Sequence, residues 1–547
     1  MDRRKRVYLF LPFFIAFALL ASTLSGASGI LYADVDVPDV KKPVPLWKPA
    51  PVKKPVSKPY GEVSSGQSLS DVLKRIEALE SRSGGGNVTA PKIRGLKIGG
   101  TLRHRFEMQH EFGGSTSAVL GTSNAKTEDF TLQRMRLYFD ADVNKNVRAF
   151  IKLQDVRTWG IERVAAGNGT VGNLGRVDLN EGYVELRNLG DLSSVLENVS
   201  VRIGRWQWFY GDHRLIGTLN WANQARSYDG ARVRWAKDKN WVDVFAASVD
   251  EFDTGSDAAA GELLGRGTQD EVLWGFYSHF KVTDGLAAEP YMLNRFRSRD
   301  QDGGDGVLVA GEQRFTLGAR ITGKKIPSLP GLDFKLEQAW QFGDTNPVTG
   351  INAGTDMDID AFAGAWGVGY TFSNVAWSPR IGYQFAYASG DDNVTDDDLE
   401  TFDHLYPTGH ARMGYMDFHA WQNIEAHKIE FSCKPTKKLL LKADMWFFEA
   451  AEEEDSRFGV VGGLGSSTGG ARMGGNATVA TNPRTGLPIR DDEFGQELDL
   501  VLKYKLFKNF GVVAGYSHYW TDDYIEESRG DDDTDADWLW LQTTVKF

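Results

Sequence analysis

The sequence predicts an all-β protein, a transmembrane antiparallel β-barrel of about 18 strands with a short periplasmic helix ahead of it. Three observations lead there. Hydropathy alternates with period two from residue 96 onward, the connections between alternating runs are tight and long by turns, and the last run carries an aromatic at its end. In that run Leu539, Leu541, Thr543, Val545 and Phe547 fall on one face, and Trp540, Gln542, Thr544 and Lys546 on the other. Bare strand edges cannot be left in lipid, so the last strand of a barrel must pair with its first. The 547 residues suit a large barrel better than one soluble core. Past the N-terminus there is no run of about 18 apolar residues, so no spanning helix is expected.

Taken in chain order, Arg3-Arg4-Lys5-Arg6 and the apolar run Val7 to Leu20 read as a secretory signal peptide over 1–33, cleaved after Ala27 or Ala33. An uncleaved anchor is the alternative. No cysteine follows the apolar run, which excludes a lipoprotein, and the single Cys433 cannot form an internal disulfide. Residues 34–67 are rich in Pro and Lys and favour an extended, solvated linker. A short amphipathic helix is expected over 68–82, with Ser68 and Asp71 resembling a capping box and Leu69, Val72 or Leu73, Ile76 and Leu79 as its apolar stripe. Gly84-Gly85-Gly86 marks a hinge over 83–95. The 34–80 segment is read as a spacer, a trimerising coil or a peptidoglycan contact.

From residue 96 the strands follow. Leu96, Ile98, Leu102, Phe106 and Met108 alternate with Lys97, Thr101, Arg103, Arg105 and Glu107, and Met135, Leu137 and Phe139 alternate with Arg134, Arg136, Tyr138 and Asp140. Strands are expected near 96–111, 128–143, 147–159, 177–189, 199–208, 227–236, 240–249, 271–282 and 286–298. Nine more fall near 311–322, 332–342, 359–372, 379–389, 421–434, 438–450, 495–507, 509–521 and 536–547. Tight turns such as 144–146, 237–239, 283–285 and 435–437 alternate with long stretches at 250–270, 390–420, 451–494 and 522–535. Short periplasmic turns against long outer loops mark an outer-membrane barrel. Trp235, Trp241, Trp446 and Trp538, near strand ends, are expected in interfacial girdles.

Net charge is −12, but its distribution is uneven. Acidic runs (396–398, 452–455, 531–533) fall in the expected outer loops. Cations recur instead on the inward parity: Arg103, Arg105, Arg134, Arg136, Arg148, Lys152, Arg232, Arg234, Arg295, Arg297, Arg314 and Arg320. A charge on the lipid face costs roughly 2–4 kcal/mol at mid-membrane, which turns these side chains into the lumen. Rings of Arg or Lys select anions. The alternative is that they pair with Asp140, Asp155, Asp243, Glu185 and Glu337 and only brace the wall. The acidic loops are solvated surface, or else bridge through calcium or magnesium to lipopolysaccharide. No other cofactor is expected.

Residues 203–232 contain Gly204-Arg205, Tyr210-Gly211-Asp212-His213-Arg214-Leu215 and Arg226-Ser227-Tyr228-Asp229-Gly230-Ala231-Arg232, in that order. Tyr387 to Asp392, Thr401 to Pro407, and Gly414 to Asp417 follow. Together they resemble the alginate-export family of outer-membrane porins over roughly 96–547. Trp206, His213 and Tyr228 depart from the family's pattern. The resemblance implies an eighteen-stranded channel for a polyanionic uronate polymer. It also implies Arg205, Arg214, Arg226 and Arg232 as pore residues, with Asp212 and Asp229 as their counter-ions. An Arg–Asp lattice of this kind would fix a loop folded into the lumen.

The partners expected are outer-membrane lipid and lipopolysaccharide, an anionic polysaccharide, and the barrel-assembly machinery acting on the last strand, with no nucleic acid. Passive export is the favoured reading. A general or small-anion porin and a surface or cell-wall anchor stay open beside it. Catalysis is not expected: His404, His410, His419 and His427 match no metal spacing, and the family resemblance implies an outer loop for the region. The Gly462 to Gly465 stretch has no helix after it to cradle phosphate.

Overall fold

The computed structural model describes residues 95–110, 127–159, 177–249, 271–297, 311–347 apart from 328, 355–459 apart from 411 and 456, 489, 491–529 and 535–547. The signal peptide, linker, helix and Gly84–Gly86 expected at the N-terminus lie outside these residues, as does Gly462–Gly465.

Alternating apolar and polar residues fix the parity of each strand. The first nine strands are β1 (Leu96–His110), β2 (Thr127–Asp142), β3 (Val147–Thr158), β4 (Asp178–Leu186), β5 (Val199–Trp206), β6 (Tyr228–Lys237), β7 (Asn240–Val249), β8 (Glu271–Thr283) and β9 (Leu286–Arg297). Then come β10 (Gly311–Ile326), β11 (Leu329–Asn346), β12 (Met357–Thr371), β13 (Arg380–Ala388), the two-residue β14 (Asp398–Leu399) and β15 (Ile424–Thr436). The last are β16 (Leu439–Glu449), β17 (Glu493–Phe507), β18 (Phe510–Thr521) and β19 (Ala536–Lys546), with a short helix, α1 (Asp523–Arg529), between β18 and β19. They form one 19-stranded sheet, and with β14 set aside eighteen strands make an antiparallel wall. Each expected strand has its counterpart. Among the described residues no helix is long and apolar enough to cross a membrane.

The ring closes between β1 and β19, in register from Thr101 opposite Lys546 to His110 opposite Asp537. Gly100 and Phe547 exchange both backbone hydrogen bonds, at 2.8 and 3.0 Å. The last aromatic residue thus completes the seam. Parity is clean across it: Arg103, Arg105, Glu107, Trp538 and Trp540 are buried inside, while Phe106, Met108, Leu539 and Leu541 are exposed on the outer wall.

The same parity corrects the tryptophan girdle. Trp235 is 39% exposed on the outer face, but Trp446 and Trp538 are buried within the barrel. Trp241 stacks inside on Tyr210, Tyr277 and His279. Position along a strand sets height in the membrane, whereas odd or even place sets the face.

Short connections (143–146, 238–239, 284–285, 437–438, 508–509) gather at the end holding both the start of β1 and the end of β19. The long ones gather at the other end. Gly204 shows how close the wall packs: its φ is 130°, and an added Cβ would collide with the Gly182 carbonyl oxygen and the Tyr183 Cα. We expect Gly204→Val to block β4–β5 pairing. Loss of the compact, heat-modifiable band on a cold detergent gel would register it.

Candidate functional site

The connection between β5 and β6 (207–227) runs into the barrel. Near its start Tyr210 donates to Asp243 on β7 at 2.8 Å and stacks on Tyr277 of β8 at 4.3 Å. Asp212 then accepts from Arg320 on β10 (2.6 Å) and Lys335 on β11 (2.9 Å). Farther on, the Asn220 carbonyl accepts from Arg103 on β1 and Arg134 on β2, both at 2.9 Å. Strands β10–β11 and β1–β2 lie on opposite sides of the ring, so the segment crosses the lumen.

A second segment, 400–423 between β14 and β15, does the same. Asp403 is held by Arg295 of β9 and exchanges two bonds with the Gln341 amide of β11. Tyr415 and Met416 then give their backbone N–H groups to Glu497 on β17, at 2.6 and 3.0 Å. Phe402, Asp403, His404, Leu405 and Tyr406 are each at most 3% exposed. The sequence reading of 390–420 as an outer loop is therefore corrected for 400–420. Its cause lies in the anchors, since Arg295, Gln341 and Glu497 are wall residues distant in sequence.

The two segments meet at one parallel bridge, Ile216 opposite Tyr406. Tyr406 donates to the Leu215 carbonyl at 2.8 Å, Gly217 to Tyr406 at 2.7 Å, and Thr408 to His213 at 2.8 Å. Arg226 adds a bond to the Pro407 carbonyl at 3.2 Å. Buried backbone groups demand partners, and here each segment supplies the other's.

The expected site residues divide by their surroundings. Arg103, Arg134 and Arg136 all bond the 220–224 stretch. Arg105 pairs with Glu107, donates to the Trp221 carbonyl and lies 3.8 Å over the Trp221 ring. Arg148 pairs with Asp140 and Glu185, and Lys152 with Glu181. Arg232 lies 3.7 Å from both Glu185 and Asp243, and Arg234 grips Asp243 with two bonds. Arg320 spans Asp212 and Glu289. Arg214 sits over Trp421 at 5.2 Å, and burial lowers its pKa to about 10. Bracing by acids thus holds for many wall arginines, Arg105 among them, while Arg103, Arg134 and Arg136 also hold the 220–224 stretch.

Two assignments are corrected. Arg205 pairs with Asp229 at 2.6 Å, but both share the parity of Ile203 and Val233, which are 57% and 45% exposed on the outer wall. They lie at the long-connection end of β5 and β6, where a paired charge escapes the cost of mid-membrane. Asp212 is ion-paired to Arg320 and Lys335, which lie outside the motif, and of the motif's arginines its charge reaches Arg214. Burial alone would raise its carboxyl, yet Arg320, Lys335 and Arg412 hold it well below the usual range.

Sequence reasoning missed Arg202, which bonds Glu185 and covers Tyr183 at 4.2 Å, and the anchors Gln341, Asp403 and Glu497. Parity could have found Arg202, because it alternates with Ile203. The four histidines do not converge. His410 bonds Asp417 at 3.0 Å, His419 reaches Tyr519, and His427 meets Tyr383 on the outer wall. Burial lowers His404 to about 4 and His213 to about 3, so both rings are neutral at pH 7. Among the described acids, Asp391, Asp392 and Glu400 form one group able to hold a cation, and Glu493, Asp522 and Asp523 another.

The sequence profile of the family described as Alginate export matches residues 94–537. The chain belongs to the alginate export family. It is an outer-membrane β-barrel of porin type, and its setting is the lipid of that membrane. No curated protein matches its sequence. Solved structures resemble it loosely. OccK8 (OprE) of Pseudomonas aeruginosa is 12% identical at a TM-score of 0.49, covering 83% of this chain and 98% of that one. OccAB1 of Acinetobacter baumannii is 12% identical at 0.48, covering 84% and 98%.

One loop acid titrates near neutrality. Burial, with Asp455, Glu400 and Asp396 close by, pushes Asp391 up to about 7. Between the ordinary carboxyl value of about 3.9 and that raised value the folded loop binds more protons than the opened one. Its stability therefore falls as pH rises through this window and is level above it. We expect Asp391→Asn to slow protease nicking of the 390–400 loop above pH 7, and the difference from wild type to vanish near pH 4.

Proposed function

We propose that this barrel is a passive export channel for an anionic, uronate-type polysaccharide. Family membership supplies the substrate class, and one observation carries the rest: the distribution of charge along the barrel. Around the short turns the wall is basic. Lys434, Lys437, Lys438 and Lys442 flank the β15–β16 turn, and Lys503, Lys505 and Lys508 the β17–β18 turn, with no acid inside either stretch. The long connections carry Asp396–Asp398, Glu452–Asp455 and Asp491–Glu493 instead. With short turns in the periplasm, the field draws a polyanion to the periplasmic mouth and repels it at the outer one.

Inside, partly exposed cations continue the basic path. Side-chain exposure is 18% for Arg148, 17% for Arg202, 29% for Arg234, 26% for Arg380 and 50% for Lys335. Each already has a carboxylate partner, so it binds a passing uronate weakly and releases it, as conduction requires. A small-anion porin is the second reading, favoured by the two segments that fill the lumen. Contact with lipopolysaccharide, recognition by the assembly machinery, and trimerisation or wall attachment through 34–80 belong to the same proposal.

In a planar bilayer under a KCl gradient the refolded barrel should be anion-selective. Arg232→Gln with Arg234→Gln should move the reversal potential towards zero, while Arg205→Gln, on the outer wall, should leave it unchanged. Polyuronate should block at lower concentration from the short-turn side. Cation selectivity, or indifference to the polymer from both sides, would defeat the export reading.

A further inference from the structure

One aromatic side chain of the first infolded segment stands in the lumen. Along Gln207–Tyr210 burial alternates. Trp208 packs on Phe245 of β7 at 4.4 Å and Tyr210 on Tyr277 of β8 at 4.3 Å, and both are buried. Phe209 between them turns away from that wall and is 36% exposed. One face of its ring lies on the His213 ring, with 4.3 Å between centroids and 15° between planes. His213 is held in the left-handed region, at a φ of 62°. Its N–H donates to the Tyr210 carbonyl at 3.0 Å, and its carbonyl accepts from Thr408 at 2.8 Å. That conformation is uncommon outside glycine, and such outliers gather at functional sites. The 210–213 turn lies towards the short-turn end of the barrel, since Tyr210 reaches Asp243 and Trp241 beside the 238–239 connection.

Cations border the stacked pair. Lys335, its side chain 50% exposed, bonds Asp212 next to His213, and the charge of Arg412 acts on both Asp212 and His213. The His213 ring is itself neutral at pH 7, so the pair offers a π face rather than charge. Resting on the polysaccharide reading above, we propose that Phe209, backed by His213, is a platform for one pyranose ring of the polymer entering from the short-turn side. An aromatic face is negative and its edge positive. The C–H groups along one face of a pyranose are weakly positive, so the two surfaces stack while the hydroxyls at the sugar's rim stay in water. Lysine and arginine read only the carboxylate, whereas Phe209 reads the ring that carries it. Lys335 and Arg412 beside the platform favour a ring bearing a carboxylate over a neutral one. The platform thereby separates a sugar acid from an open-chain anion of equal charge.

Glucuronate and gluconate test this, because they carry the same charge and only the first has a pyranose ring. In a planar bilayer, glucuronate added on the short-turn side should reduce the chloride current of the full-length barrel at about threefold to tenfold lower concentration than gluconate. Phe209→Ala should abolish that preference and Phe209→Tyr should keep it, whereas loss of a merely packing side chain would shift both anions together. Oligouronate block should weaken by a similar factor in Phe209→Ala. Equal block by glucuronate and gluconate in wild type, with oligouronate block intact, would overturn the platform and leave the export channel standing. A Phe209→Ala barrel that keeps the preference would do the same. No block by oligouronate from either side would overturn both. A heat-modifiability gel on each variant confirms that the barrel has formed.

Discussion

Closure of the ring between β1 and β19 is the constraint on which the interior depends. Ten residue pairs from Thr101–Lys546 to His110–Asp537 lock the two strands together, and with the seam fixed every wall residue has a definite face. Arg103 and Arg134 then stand opposite each other on neighbouring strands, both turned inward. A slip of one residue between the two strands would turn one of the pair to lipid, at a cost of roughly 2–4 kcal/mol near the midplane. The apolar outer face and the charged inner face therefore enforce the same register.

A ring of eighteen strands is too wide for wall side chains to fill, and the protein answers with two of its own connections. The anchoring is electrostatic at one level and backbone-based at another. Arg320, Arg295 and Glu497 hold the segments to the wall, while the Ile216–Tyr406 bridge joins them to each other. The network at Arg295 is dense: its guanidinium meets both Glu312 and Asp403, and all three are nearly inaccessible. Removing one partner of such a buried set is strongly destabilising, so these residues keep the segments inside.

Charge also varies along the barrel axis. Lysines crowd the short-turn mouth and acids the long connections, so a polyanion meets opposite fields at the two ends. The gradient is carried by residues at the two ends of the barrel, whereas the inward arginines are bound by register.

The sequence by itself determined the strands, their number, the alternation of turn lengths and the inward parity of Arg103, Arg105, Arg134, Arg136, Arg148, Lys152, Arg232, Arg234 and Arg320. All of these are local properties: period two, turn residues and the cost of charge in lipid act over a few neighbouring residues. Partnership was not local. Asp212 finds Arg320 across 108 positions, and Arg103 finds Asn220 across 117. Motif order suggested Arg205 as a pore residue although its parity with Ile203 already opposed it. The tertiary structure alone decided that 400–420 fills the lumen, because its anchors lie on β9, β11 and β17, brought round only by closure of the ring.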